Sequence, residues 1–95
     1  MTETGFLAVY RWRVEPDAEA AFIARWEDAT RELAALGGQG SCLTRAEDGA
    51  FVAIAKWPSE AARDAAFSAS AGRSALTGVK RLSEEKLAVV SDLWR

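Results

Sequence analysis

The chain has no histidine and no asparagine, and only one cysteine, one tyrosine and two prolines among its 95 residues. Without histidine, a Ser-His-Asp nucleophile system, a histidine-ligated metal and a histidine-ligated haem are all excluded within this chain. The lone Cys42 cannot form an intrachain disulfide and stands in no metal-binding spacing, so it reads as a small buried filler and no metal is expected. Gly-rich phosphate loops of either common pattern are missing as well. Twelve Lys and Arg against fourteen Asp and Glu leave a net charge of −2, with the basic residues scattered, which argues against a nucleic-acid partner. No apolar run approaches the length of a membrane span. The opening Met-Thr-Glu-Thr-Gly has neither the basic start nor the apolar core of a signal peptide, so no membrane partner and a cytoplasmic location are expected.

What is present is the composition of an ordinary soluble domain, 49% apolar and 27% charged. A chain of this length buries roughly 60 to 70% of its unfolded surface, enough for one modest core, so residues 1–95 are read as one domain.

The most informative stretch is 51–59, Phe-Val-Ala-Ile-Ala-Lys-Trp-Pro-Ser. Its alternation has the period of a strand, Pro58 cannot continue a ladder, and Ser59 followed by Glu60 is a helix start. Just upstream, Asp48-Gly49 between two alternating runs is a strong hairpin signal. Read as a two-residue turn, it sets Glu47 opposite Ala50, Arg45 opposite Val52, Leu43 opposite Ile54 and Ser41 opposite Lys56 on one face. The other face then carries Gly40, Cys42, Thr44 and Ala46 against Trp57, Ala55, Ala53 and Phe51. Two large aromatics over a floor of small side chains allow two outcomes: a helix packs close, or a cavity is left beside Trp57.

The other elements follow from periodicity. Phe6–Val14 alternates as a strand with Phe6, Ala8, Tyr10, Trp12 and Val14 on one side and Leu7, Val9, Arg11 and Arg13 on the other. Glu15-Pro16-Asp17 opens a helix over 18–36, where Phe22, Trp26, Ala29, Leu33 and Leu36 form one stripe and Gly37-Gly38 closes it. An Ala-rich second helix is expected over 61–71, a break over 72–78, a short helical turn within 77–85, and a last strand over 87–94. The order βαββαβ is the ferredoxin-like α+β arrangement, a four-stranded antiparallel sheet with two helices on one face. Its uncovered face would hold Leu7, Val9, Leu43, Val52 and Ile54, and a second copy stacked sheet on sheet is the simplest cover, so a homodimer is expected.

Tyr10-Arg11-Trp12-Arg13-Val14-x-Pro16, Phe22 and Trp26 in the first helix, and Gly49-x-Phe51-Val52-Ala53-x-Ala55-x-Trp57-Pro58-Ser59 with Glu60 and Ala61 resemble the antibiotic biosynthesis monooxygenase-like family of dimeric α+β barrels. The resemblance covers roughly residues 6 to 67. It implies a pocket-lining Trp at the strand end, matched by Trp57. The family's Asn on this strand is replaced by Ala53, and the second helix offers Arg63 and Phe67 where relatives have Tyr or His. This disfavours haem degradation.

Two functions follow. One is a monooxygenase without a cofactor that oxidises a phenolic or hydroquinone-like aromatic to a quinone: Trp57, Tyr10 and Arg63 would be catalytic, and Phe51, Trp12, Arg11 and Phe67 would bind the substrate. In it Arg63 or Arg11 stabilises the phenolate and Tyr10 relays a proton. The other is a non-catalytic dimeric module of the same fold that binds a small ligand or simply assembles. An enclosed cavity beside Trp57 reached by an ionisable group favours the first, and a space filled by Phe67 and the helix alanines favours the second.

Overall fold

The structure, a computed structural model, describes residues 5–70 and 76–94. Strand β1 (Phe6–Val14) is followed by a single 3-10 turn at Pro16–Ala18 and helix α1 (Glu19–Ala35). Strands β2 (Ser41–Arg45) and β3 (Phe51–Trp57) form the hairpin, and helix α2 (Glu60–Ala69) leads to strand β4 (Val79–Ala88). The four strands make one antiparallel sheet in the order β2-β3-β1-β4. Both helices lie on one face, because Trp26 and Leu33 of α1 and Ala66 of α2 pack on the cluster of Phe6, Ala8, Tyr10, Ala53 and Trp57. This is the ferredoxin-like α+β fold.

Local chemistry explains the boundaries. Ser59 Oγ accepts the Ala62 N–H at 3.1 Å and caps α2 directly after Pro58 stops the ladder. Helix α1 ends in a Schellman turn: Gly38 N–H donates to Leu33 O at 2.9 Å and Gly37 N–H to Ala34 O at 3.3 Å, with Gly37 at a φ of 118°.

Two expectations are corrected. The Asp48-Gly49 hairpin closes one residue away from the two-residue reading, with Ala46 N–H on Ala50 O at 2.8 Å, Gly49 N–H on Ala46 O at 2.9 Å, and Ser41 paired with Ala55 rather than Lys56. Glu47 joins the loop, and Gly49, at a φ of 89°, takes the bulge position of a three-residue turn whose Asp48 carboxylate accepts the Ala50 N–H at 2.9 Å. The one-residue shift exchanges the faces of β2. Leu43 therefore packs into the core beside both buried clusters, and Cys42, expected as a buried filler, is exposed on the uncovered face.

The last strand is the second correction, since it runs over Val79–Ala88 and not over 87–94, and residues 77 and 78 form a turn where a helical turn was expected. Its sequence, VKRLSEEKLA, is charged on both sides because it is an edge strand, and edge strands carry charge to resist pairing with other chains. Apolar alternation is therefore absent where the strand is. The end of the expected second helix and most of the expected break lie outside the described residues.

Beneath the start of α1, Phe22 meets Phe51 at 5.2 Å and Trp12 at 5.1 Å between ring centres, forming a second cluster with Val14. Burying Phe22 contributes about 1.5 to 3 kcal/mol. It is the only described residue of α1 that is buried; Trp26 and Leu33 further along the helix are half-buried against the sheet.

Candidate active site

A cavity of about 200 Å³ lies between α1 and the sheet. Its floor is Ala53 and Ala55, its roof includes Trp26, Ala29 and Leu33, and Tyr10, Trp12, Trp57 and Phe67 wall it. The space exists because small side chains face each other across it: Ala53 and Ala55 on the sheet and Ala29 on the helix are too short to meet. At the far end, Gly38 lets the close of α1 sit on the indole, for a Cβ there would lie 3.1 Å from Leu33 O and 3.3 Å from Trp57 Cη2.

Trp57 is 2% exposed, and its Nε1 is buried without a hydrogen-bond partner among the described residues. A buried donor left unpaired costs on the order of 1 to 3 kcal/mol, which a ligand oxygen reaching it would offset. Phe67 meets Trp57 edge to face at 6.2 Å between centres.

Behind Tyr10 stands Arg63, buried on α2. One of its nitrogens, Nη2, donates to Tyr10 Oη at 2.9 Å and to Glu84 Oε2 on β4, while Nη1 donates to Asp64 Oδ1 at 3.1 Å. Its guanidinium also lies 4.1 Å from the centre of the Phe67 ring. Burial pushes the Tyr10 hydroxyl above its usual 10.0, and the Arg63 hydrogen bond only partly opposes this. Burial works against the charge on Arg63, but hydrogen bonds to Tyr10 and Asp64 outweigh it and hold the guanidinium more firmly protonated than usual. Because Tyr10 accepts from Arg63, its own O–H is left to donate, and Tyr10 enters the cavity as a neutral donor of fixed orientation.

Of the residues singled out from the sequence, Trp57, Tyr10, Trp12 and Phe67 meet at the cavity. Arg63 does not line it and meets it through Tyr10 and Phe67. Phe51 lies in the Phe22 cluster, where Arg45 covers its ring at 4.5 Å, and Arg11 is exposed and paired in register with Val52 on the opposite face of the sheet. Neither lines the cavity, since one strand step in β1 or two in β3 moves a side chain to another face or another cluster. Sequence reading did not find Leu33, Lys56 or Arg81 as lining residues; Leu33 was visible as part of the helical stripe, whereas Arg81 carried no signal. Among the described residues, no three His, Cys, Asp or Glu side chains gather where they could hold a metal ion.

No family model and no curated protein sequence matches the chain. Solved structures do. A candidate monooxygenase from Shewanella loihica superposes with a TM-score of 0.71 at 17% identity, covering 97% of this chain and 100% of that one. A protein of Mycobacterium tuberculosis gives 0.67 at 20% identity over 96% and 100% of the two chains. A protein of unknown function from Nitrosomonas europaea gives 0.67 at 15% identity over 100% and 98%. At such identities the agreement speaks for architecture: over essentially its full length, this chain has the same ferredoxin-like α+β fold as these three proteins.

Proposed function

We propose that the chain is a homodimeric member of the antibiotic biosynthesis monooxygenase-like family, and that it oxidises an electron-rich phenolic or hydroquinone-like aromatic to a quinone with O₂ and no cofactor. The observation that carries this reading is an aromatic-walled cavity lined by Tyr10, whose hydroxyl is held by Arg63, and by Trp57, whose buried Nε1 has no hydrogen-bond partner among the described residues. The Shewanella loihica neighbour, described as a candidate monooxygenase, supports the general class.

In this reading the ring lies between the floor alanines and Trp26, and its phenol loses a proton to solvent at the mouth. The two donors stabilise the resulting anion against the apolar wall. The anion passes an electron to O₂, and the ring radical and superoxide join to form a C–O bond. Loss of the ring C–H proton with one oxygen as water leaves the other as the new carbonyl. All four electrons come from the ring, so no metal, flavin or external reductant enters the balance. Tyr10, neutral and raised in pKa, serves as donor rather than base.

The alternative is a binding module without chemistry, favoured by the absence of any carboxylate or imidazole among the cavity's lining residues. Oxygen uptake with anthrone and hydroquinone substrates separates the two. The proposed enzyme consumes O₂ with purified metal-free protein, and Trp57→Phe lowers the rate by about a hundredfold, the usual cost of losing one oriented donor. No uptake with any of these substrates leaves the module.

A further inference from the structure

On the helix side of β4, each charge within reach of α2 is already matched. Glu84 is held by Arg63, and Lys86 Nζ lies 3.1 Å from Glu60 Oε2. Lys56, the other cation lining the cavity, is tied to Asp92 at 2.7 Å. Arg81 lines the cavity with no hydrogen bond or ion pair among the described residues.

Its position there results from a break in register. From Phe6↔Ala88 to Arg11↔Ser83 the strands pair without interruption, then Trp12 pairs with Arg81 and Leu82 is passed over as a β-bulge. In an unbroken ladder Leu82 would stand opposite Trp12 on the helix side, and Arg81 would fall opposite Arg13 on the other face. The extra residue puts Arg81, an exposed cation, at the rim of an apolar cavity and leaves Leu82 43% exposed and outside the lining. A bulge beside a site that re-aims a side chain is a recurrent device, and leaving a Leu in solvent is a cost that the apolar cavity alone would not impose. Trp12, cross-strand from Arg81, stacks on Tyr10 at 5.8 Å between centres, which provides an aromatic wall next to the guanidinium.

We infer that Arg81 is a specificity-determining residue that selects aromatic ligands bearing a carboxylate, with the ring on the Trp12–Tyr10 wall and the carboxylate on the guanidinium. Arginine suits this because its planar donor pair matches a carboxylate in two parallel hydrogen bonds. The inference deepens the proposed reading by naming the class of molecule that the same cavity takes, and it rests on ligand binding there, not on oxidation.

Calorimetric titration with two probes of matched shape, 2-naphthoate and 2-naphthalenemethanol, tests it without turnover. The expected result is an approximately tenfold preference for the anion in the unaltered chain, lost in Arg81→Leu while the neutral probe changes by less than about twofold. Arg81→Lys should retain part of the preference, and Arg81→Leu combined with Leu82→Arg, which conserves net charge, should not restore it. Equal affinity of the two probes for the unaltered chain, or recovery in the double variant, overturns the assignment of Arg81. Failure of both probes to bind overturns the cavity as a site, and the function proposed for it; binding of the anion alone upholds Arg81. Retained selectivity without oxygen uptake upholds Arg81 and removes only the oxidation.

Discussion

Tyr10 is the sole tyrosine, so its ionisation can be watched without interference. Burial raises its pKa in the folded chain above 10.0, against its ordinary value once unfolded. The folded state therefore holds the proton more tightly. That contribution to stability is complete below pH 10 and is lost as pH rises through the folded value. Tyrosinate absorbance of the native protein should show a midpoint above 10, and denaturant midpoints should begin to fall from pH 10 upward. A native midpoint below 10 would mean that Arg63 dominates and that Tyr10 is acidic. Trp57 and Tyr10 were legible as residues of the helix-side face that line the cavity because one chain feature fixed each: Pro58 ends β3 at the indole, and uninterrupted alternation in β1 puts residue 10 with 6, 8 and 12. Arg81 was not legible, since its side is decided by a bulge that no local residue pattern announces.

Elements differ in how far their sequence specifies them. β1 was found with its bounds because it is a central strand whose helix-side residues are buried or half-buried and alternate with Leu7, Val9, Arg11 and Arg13. β4 was misplaced because an edge strand is specified by its neighbour's hydrogen bonds while its side chains answer to solvent. Helix α1 shows a third situation, in which the stripe was readable but not how closely it would sit, since packing depth depends on what the sheet offers beneath it. The floor alanines make that gap adjustable. Ala55→Leu should fill it, weakening naphthalene-probe binding by tenfold or more while the unfolding free energy stays within about 1.5 kcal/mol of the unaltered value. Calorimetry and chemical denaturation measure both. A loss of more than about 3 kcal/mol would indicate that no space was available and that the helix already rests on its floor.

The molecule as a whole has one face of its sheet under helices and one without cover. On the latter, Leu7, Val9, Val52, Ile54 and Leu87 form an apolar centre, with Leu87 41% exposed. Past β4, Val89 N–H bonds Gly5 O at 3.1 Å and Asp92 pairs with Lys56, while Val90, Leu93 and Trp94 stand in solvent at 90%, 92% and 62% exposure. Under the proposed homodimer, a second copy covers this face. Sedimentation at micromolar concentration should give twice the chain mass, and Ile54→Asp, which introduces a charge at the centre, should give a folded single chain. An unaltered chain that sediments as one copy would sink the dimer. No helix among the described residues is long and apolar enough to cross a membrane.

The hairpin loop has an evolutionary consequence. Ala46 and Ala50 close it, and the dipeptide Asp48-Gly49 suffices by itself as a two-residue connection between the same pair. Loss of the single codon for Glu47 is therefore parity-neutral: β2 would keep Leu43 inside and Cys42 outside, whereas an indel within a strand inverts every position beyond it. This corner of the fold can gain or lose length among descendants without rewriting what the sheet presents to the helices or to the other side.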